Sequence, residues 1–450
     1  MDKNYIRIPW RMERLPANRY TRLIAGILGL CFFFEWVDNG SISYFLPVFA
    51  EEFKLNEDVL GVIASVSNIG VMCGCLISGI ISDKIGRKKV ICMAMVIWGI
   101  AGVTQSFAPS LSYLIIVRIV LGLGLGIQLP ATITLVSESV PSRMRAKYTV
   151  VLLALAPLGS TFAGILCYFA LPSSIGWRGV SIIEAVPALT ALVIWKVIPE
   201  SALWLEAKGR IQEADEIMSR VEKKVEAAIG GSLPPVVIPD SVPAAAPKKQ
   251  QKQFAQLFSK KYLRTNIMTS IWWPCTMMAS YGLTAWFSMI FVQKGINLSS
   301  SIGYTSIMTL GGCLGVLFLP KVLDRFGRKV ACCVIAAIAA LGAYCYGSVE
   351  AIPLLILFGM IFNAGSQGVA QVSVTYASES YPTSVRNTGV GYAQFIGRLG
   401  SVLGPMCLGL VMNRWGIQSS VFFAAALYVV GALAVIFLGT ETKGKVFTEE

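Results

Sequence analysis

Histidine is absent from this 450-residue sequence. Any proton the chain carries near neutral pH must therefore ride on a carboxylate rather than an imidazole. Also lacking are a C-x-x-C pair, a run of spaced metal ligands, a phosphate-cradling glycine loop and a nucleophile set beside a base. These gaps speak against an enzyme, and no metal or cofactor is expected. The eleven cysteines, among them Cys73, Cys75, Cys332 and Cys333, all fall in apolar stretches and read as small packing residues rather than a disulfide framework. Charged residues are scarce too, at 14%.

What is abundant is apolar sequence: 55% of residues are hydrophobic, with a mean hydropathy of +0.66. A soluble domain would leave too much of that surface in water. Twelve runs approach the roughly 20 residues that a spanning helix needs. They cover residues 23–49, 58–81, 90–107, 111–136, 149–170 and 180–198, then 265–292, 302–322, 330–348, 353–376, 388–411 and 418–438. The fold class expected is therefore an all-α polytopic membrane protein.

The net charge of +13 would suggest nucleic acid in a soluble chain, but here the basic residues sort by loop. With the N-terminus inside, the outer loops hold only Lys54, Arg178, Lys294 and Arg414, while Arg118 and Arg398 lie within spans. That bias places both termini in the cytoplasm and the chain in the cell inner (plasma) membrane, with no nucleic-acid partner. The first apolar run is too long for a signal peptide and lacks a small-residue cleavage site, so it is expected to remain as a helix.

A parallel repeat runs along the chain. Asp83-Lys84-Ile85-Gly86-Arg87-Lys88 returns 241 positions later as Asp324-Arg325-Phe326-Gly327-Arg328-Lys329. At the same offset Ser137-Glu138-Ser139-Val140-Pro141 with Arg145 meets Ser378-Glu379-Ser380-Tyr381-Pro382 with Arg386, and Gly124, Gly159-Ser160 and Glu200 meet Gly365, Gly400-Ser401 and Glu441. The expected organisation is a six-helix bundle over 1–198, a linker over 199–264, a second six-helix bundle over 265–438 and a tail over 439–450. In the linker, 209–229 reads as a surface helix and 231–253, rich in Pro, Ala, Lys and Gln, as a tether.

These motifs resemble the major facilitator superfamily. Gly79-x-x-x-Asp83-x-x-Gly86-Arg87-Lys88 looks like its loop signature, duplicated at Asp324 to Lys329. Arg118-x-x-x-Gly122-x-Gly124-x-Gly126, Glu138-x-x-Pro141-x-x-x-Arg145 and Pro199-Glu200-Ser201 look like the branch holding sugar porters, aromatic-acid:proton symporters and organic-ion transporters. The resemblance implies twelve helices around a cavity, alternating access and a monomer. It also implies a conformational latch made of Gly79, Asp83, Gly86, Arg87, Glu138, Arg145, Asp324, Gly327, Arg328, Glu379 and Arg386. The loop charges alone would serve equally as plain topology anchors.

Inside the first span, Glu35 and Asp38 stand at i and i+3 on one helix face. Each ionised carboxylate costs about 2.5 to 3.5 kcal/mol at mid-membrane, so a partner is required. Arg118 lies at a comparable depth, roughly 12 Å from the outer end of its helix against roughly 16 Å for Asp38. A carboxylate that loses such a partner in a dry site takes up a proton, which couples proton movement to conformation. The resemblance assigns Asp38 and Arg118 to proton coupling, while Glu35 departs from the aspartate usual in the aromatic-acid branch. A fixed ion pair locking two helices is the structural alternative.

Arg398 sits near mid-bilayer in the eleventh span, and Pro157 is its counterpart in the repeat. A charge confined to one half does not serve the shared scaffold, and a guanidinium suits a carboxylate, so Arg398 is a candidate for binding an anionic solute. It could instead pair with a carboxylate of this chain, such as Glu35. Asn363, Gln367 and Gln371 recur every fourth residue on one face. Gln128 offers a hydrogen bond, and Trp36, Tyr281, Trp286, Tyr376 and Tyr392 could stack on a ring or simply pack. The leading reading is proton-coupled uptake of a small organic anion, an aromatic carboxylate such as nicotinate or benzoate. Sugar or polyol:proton symport, export of lipophilic compounds and a non-transporting sensor are the competitors.

Overall fold

The computed structural model describes residues 6–237, 256–382 and 385–442, with the backbone alone for 146, 318–326 and 387. Lipid offers backbone amides no partner, so apolar sequence of this length folds as helix, which bonds every interior N–H and C=O within the segment. The helices in chain order are α1 (Ile8–Glu13), α2 (Arg19–Glu52), α3 (Glu57–Ile85), α4 (Arg87–Gln105), α5 (Leu111–Glu138), α6 (Ser142–Ala170), α7 (Gly176–Ala185), α8 (Thr190–Val197), α9 (Ala202–Ala207) and α10 (Ile211–Ile229). Then follow α11 (Leu263–Gln293), α12 (Leu298–Phe326), α13 (Arg328–Ser348), α14 (Ile352–Ser380) and α15 (Arg386–Leu438).

Eleven helical segments among the described residues are long and apolar enough to cross a membrane, α7 and α8 counting as one. The last, α15, runs 53 residues and breaks at Gly416, whose φ of 83° interrupts the helix. Its two arms make twelve spans. Most observed helices overrun the apolar runs by a turn, because polar end residues continue the helix after hydropathy has fallen.

The repeat is written into the helix ends. Shifting α3 by 241 positions gives the bounds of α12, and α2 and α11 end at the equivalent residues Glu52 and Gln293. Lys54 (φ 51°) and Gly295 (φ 83°) turn the same connector with left-handed backbone, as do Gly86 (φ 105°) and Gly327 (φ 83°). Close helix approach repeats as well: a β-carbon on Gly70 would collide with the Ile119 carbonyl, and one on the equivalent Gly311 with that of Met360. Small residues that let backbones touch are the usual device of helix packing in lipid.

By contact the chain divides into two compact units, whose boundaries fall inside α2, α3, α6 and α7 and so do not follow the halves of the repeat. The first holds residues 1–36, 70–156 and 181–245. Leu28, Phe32, Met95, Trp98, Leu121, Leu125 and Ile194 form part of its core. A second cluster in this unit joins α1 to α9 and α10 through Ile8, Met12, Leu15, Trp204, Met218 and Val225. Arg11 donates to Glu222 at 2.6 Å and Arg14 to the same carboxylate at 2.7 Å. The basic N-terminal segment is thus a structural helix, and α10 buries one face rather than lying simply on the surface.

The second unit holds residues 37–69, 157–180 and 246–450. Trp286, Phe287, Phe362, Tyr346 and Tyr428 fill its interior, with Phe287 edge-on to Phe362 at 5.7 Å. Glu52 at the end of α2 accepts the Trp177 indole N–H at 2.5 Å and pairs with Arg178 at 2.7 Å. Linker residues 238–253 and the tail from Lys443 lie outside the described residues.

Candidate functional site

Of the four intramembrane charges named from sequence, three are buried. Glu35 is 5% exposed, Asp38 8% and Arg118 2%. Within the first unit, Arg118 Nη1 donates to Gln105 Oε1 at 3.1 Å, and Gln105 Nε2 donates to Ser181 Oγ at 2.8 Å. Glu35 Oε2 lies 3.5 Å from Gln128 Nε2. One turn beyond Ser181, α7 carries Glu184, a further buried carboxylate at 4% exposure. Sequence reasoning passed over it, although the signal was the one that flagged Glu35: an acidic residue inside an apolar run.

The repeat separates this chemistry from scaffold. Positions 241 residues beyond Glu35, Asp38, Arg118, Gln105, Ser181 and Glu184 hold Thr276, Ala279, Gly359, Tyr346, Phe422 and Ala425. No ionisable group is needed there to build the same helices except the Tyr346 phenol. Charge buried against its insertion cost, and absent from the equivalent helices, is not a requirement of the shared scaffold.

The second half reverses the pattern. Asn363, Gln367, Gln371 and Arg398 stand opposite Gly122, Gly126, Pro130 and Pro157. Arg398 is half-buried on α15, and its own carbonyl accepts from Ser401 Oγ at 2.8 Å. Gln367 and Gln371 are half-buried on α14, whereas Asn363 is buried and donates back to the Gly359 carbonyl at 2.9 Å.

Three expected solute contacts are otherwise engaged. Gln128 is fully buried, accepting the Trp98 N–H and donating to the Cys31 carbonyl. Trp286, also at 0% exposure, donates its indole N–H to the Pro405 carbonyl at 3.1 Å. Tyr376 donates its hydroxyl to the Thr440 carbonyl at 2.8 Å, tying α14 to the end of α15. These side chains pack the interior and spend their polar atoms there. Tyr392, half-buried, shares a 2.6 Å hydroxyl bond with Ser270 and meets Phe258 edge-on. Tyr281 and Trp36 are half-buried, the latter against the first core.

The duplicated loops form matching charge networks. Arg87 pairs with Asp83 at 3.0 Å and Glu138 at 3.1 Å; Arg328 pairs with Glu379 at 2.9 Å. Glu200 Oε1 accepts the backbone N–H groups of Arg87 and Lys88, and Glu441 those of Arg328 and Lys329. Each carboxylate thus caps a helix N-terminus, where the dipole favours negative charge. The Asp324 side chain lies outside the described residues. A β-carbon on Gly79 would meet no described atom within 4 Å, so its place in the motif serves no close approach here. Arg145 Nε makes no hydrogen bond among the described residues, and Arg386 Nε donates to the Tyr381 carbonyl at 3.4 Å.

Similarity to known proteins follows the same lines. The family described as "Sugar (and other) transporter" matches residues 23–450. The niacin transporter NiaP of Acinetobacter baylyi is 31% identical over 436 residues, 97% of each chain. The 4-hydroxybenzoate transporter PcaK of the same organism is 27% identical, covering 94% of this chain and 91% of that one. In structure, the inward-open xylose transporter XylE of E. coli superposes with a TM-score of 0.74 over 94% of this chain and 98% of its own, at 18% identity, a likeness of fold alone. The chain therefore belongs to the sugar (and other) transporter family of the major facilitator superfamily: it is a multi-pass membrane transporter and not an enzyme.

Proposed function

We propose that the protein is a proton-coupled symporter that imports a small organic anion, an aromatic carboxylate of the nicotinate or benzoate type, by alternating access. The observation that carries this reading is the division of polar chemistry between the repeats. Among the described residues, the buried carboxylates of the spans and Arg118 lie in the first half, the amide face of α14 and Arg398 in the second. Asp38 takes the proton, with Arg118 as its charge partner, and Glu35 and Glu184 complete the acidic set. Without histidine, carboxylates are the groups left for that task. Arg398 receives the solute carboxylate through its planar fork, and Gln367 and Gln371 offer amides to the same solute. Relatives named as niacin and 4-hydroxybenzoate transporters support the substrate class. The planar guanidinium fork matches a carboxylate better than a neutral sugar, which disfavours sugar symport.

The Arg87–Glu138 and Arg328–Glu379 networks act as the conformational latch on the cytoplasmic side, where the basic loops place both termini. The chain works as a monomer in the bacterial inner membrane, taking solute and proton as its partners.

The test is uptake of labelled nicotinate and benzoate into liposomes under an imposed pH gradient. Wild-type protein is expected to accumulate acid and Asp38→Asn only to equilibrate it. Unchanged accumulation by the variant discards the coupling assignment, and displacement of the acids by xylose but not by each other discards the substrate class.

A further inference from the structure

The amide of Gln128 has an acceptor edge and a donor edge, and the edge turned to Glu35 decides what that carboxylate meets. Two neighbours settle the choice independently. The indole N–H of Trp98 can only donate, and it lies 2.7 Å from Gln128 Oε1. The carbonyl of Cys31 can only accept, and it lies 3.3 Å from Gln128 Nε2. The reverse amide orientation would set oxygen against oxygen at Cys31 and Glu35, and N–H against N–H at Trp98. The donor edge therefore faces α2, 3.5 Å from Glu35 Oε2.

Little in this chain can relax. Trp98 is 2% exposed, Gln128 0% and Glu35 5%. A β-carbon on Gly124 would stand 2.8 Å from the Trp98 backbone nitrogen, so α4 and α5 already touch backbone to backbone beside the ring. The fold does not require the chain, because the equivalent positions in the second half are Ala339, Val369 and Thr276. An arrangement of three polar side chains, built into one repeat and missing from the other, belongs to that repeat's task.

We infer that Trp98, acting through Gln128, is a positioning residue that turns a hydrogen-bond donor onto Glu35 and holds this carboxylate in the orientation in which it takes part in coupling. The inference rests on the proton-coupled reading above. It gives Gln128 a role inside the coupling apparatus rather than on the solute.

Two measurements on the purified full chain test it. Infrared spectroscopy identifies the Glu35 carboxyl band as the one lost in Glu35→Gln. In Trp98→Phe, which keeps a ring but removes the N–H, and in Gln128→Leu, that band is expected to shift in frequency. A band unmoved in both variants overturns the inference. In liposomes loaded with nicotinate or benzoate, Trp98→Phe is expected to lower pH-driven accumulation about tenfold while exchange across the membrane without a gradient stays within about twofold of wild type. Loss of both activities in parallel marks a merely structural role and overturns it as well. If wild-type protein accumulates neither acid, the symport reading has failed, and the infrared shift still decides whether Trp98 orients Gln128 onto Glu35.

Discussion

Glu200 accepts the backbone N–H of Arg87 at 2.9 Å, and its other carboxylate oxygen lies where a β-carbon on Gly86 would have to stand. Glycine is needed there twice over, for the left-handed φ of 105° and for the space. Gly86→Ala is expected to destabilise the protein by about 1–3 kcal/mol. Gly79→Ala, on an open face of α3, should be neutral or stabilising by about 0.5–1 kcal/mol. Melting temperatures of the two purified variants check the contrast.

Removing the caps themselves gives a second expectation. Glu200→Ala and Glu441→Ala each strip a helix N-terminus of its acceptor, at a cost of about 1 kcal/mol. Glu200 bonds the N–H groups of Arg87 and Lys88 and Glu441 those of Arg328 and Lys329, so the double variant should lose the sum, as measured by thermal unfolding.

Acid should loosen α1 from α10. Burial works against the charge on Glu222, but hydrogen bonds from Arg11 and Arg14 outweigh it and hold the carboxyl below the ordinary glutamate range. A carboxyl lowered in the folded state stabilises fully above its unfolded value of about 4.3, and that contribution is lost as pH falls through the lower folded value. Hydrogen exchange across residues 8–13, corrected for intrinsic rate, should therefore accelerate on acidification through that window in wild type, and Glu222→Gln should flatten the dependence.

Trp286→Phe and Tyr376→Phe should each lower stability by about 0.5–1.5 kcal/mol, the worth of one internal hydrogen bond. Neither should change the KM for the transported acid, because both side chains are spent on carbonyls of their own unit. A KM shift exceeding the loss of folded protein would return them to the solute site.

Arg398→Ala is expected to abolish uptake of aromatic acids, and Arg398→Lys to retain a fraction, since an ammonium keeps the charge but not the fork. Initial rates over a range of acid concentrations separate the two. Equal rates in wild type and Arg398→Ala would remove the arginine from the solute site.

The architecture was legible because it is set by hydropathy and by one offset: spans long enough to cross a bilayer, and Asp83-to-Lys88 returning at Asp324-to-Lys329. The intramembrane charges were legible for the same reason, since Glu35, Asp38, Arg118 and Arg398 contradict their surroundings. Aromatic and amide roles were not. A tryptophan or glutamine on an apolar helix is equally suited to a cavity wall and to a core, and only its hydrogen-bond partner decides. Trp286 finds the Pro405 carbonyl and Gln128 finds Trp98, neighbours that only the folded chain brings close. The partnership of Arg11 with Glu222, across 211 positions, carries no local sequence signal at all.

The bounds of α3 and α12 still coincide at the 241-residue offset, although the polar residues of each half have been replaced in the other. A frame that each half builds without the other's polar groups does not depend on those groups for its assembly. Null alleles at Glu35, Asp38 or Arg398 should accordingly yield polypeptide that inserts and accumulates at ordinary levels, so that loss of growth on the transported acid arises without loss of the protein.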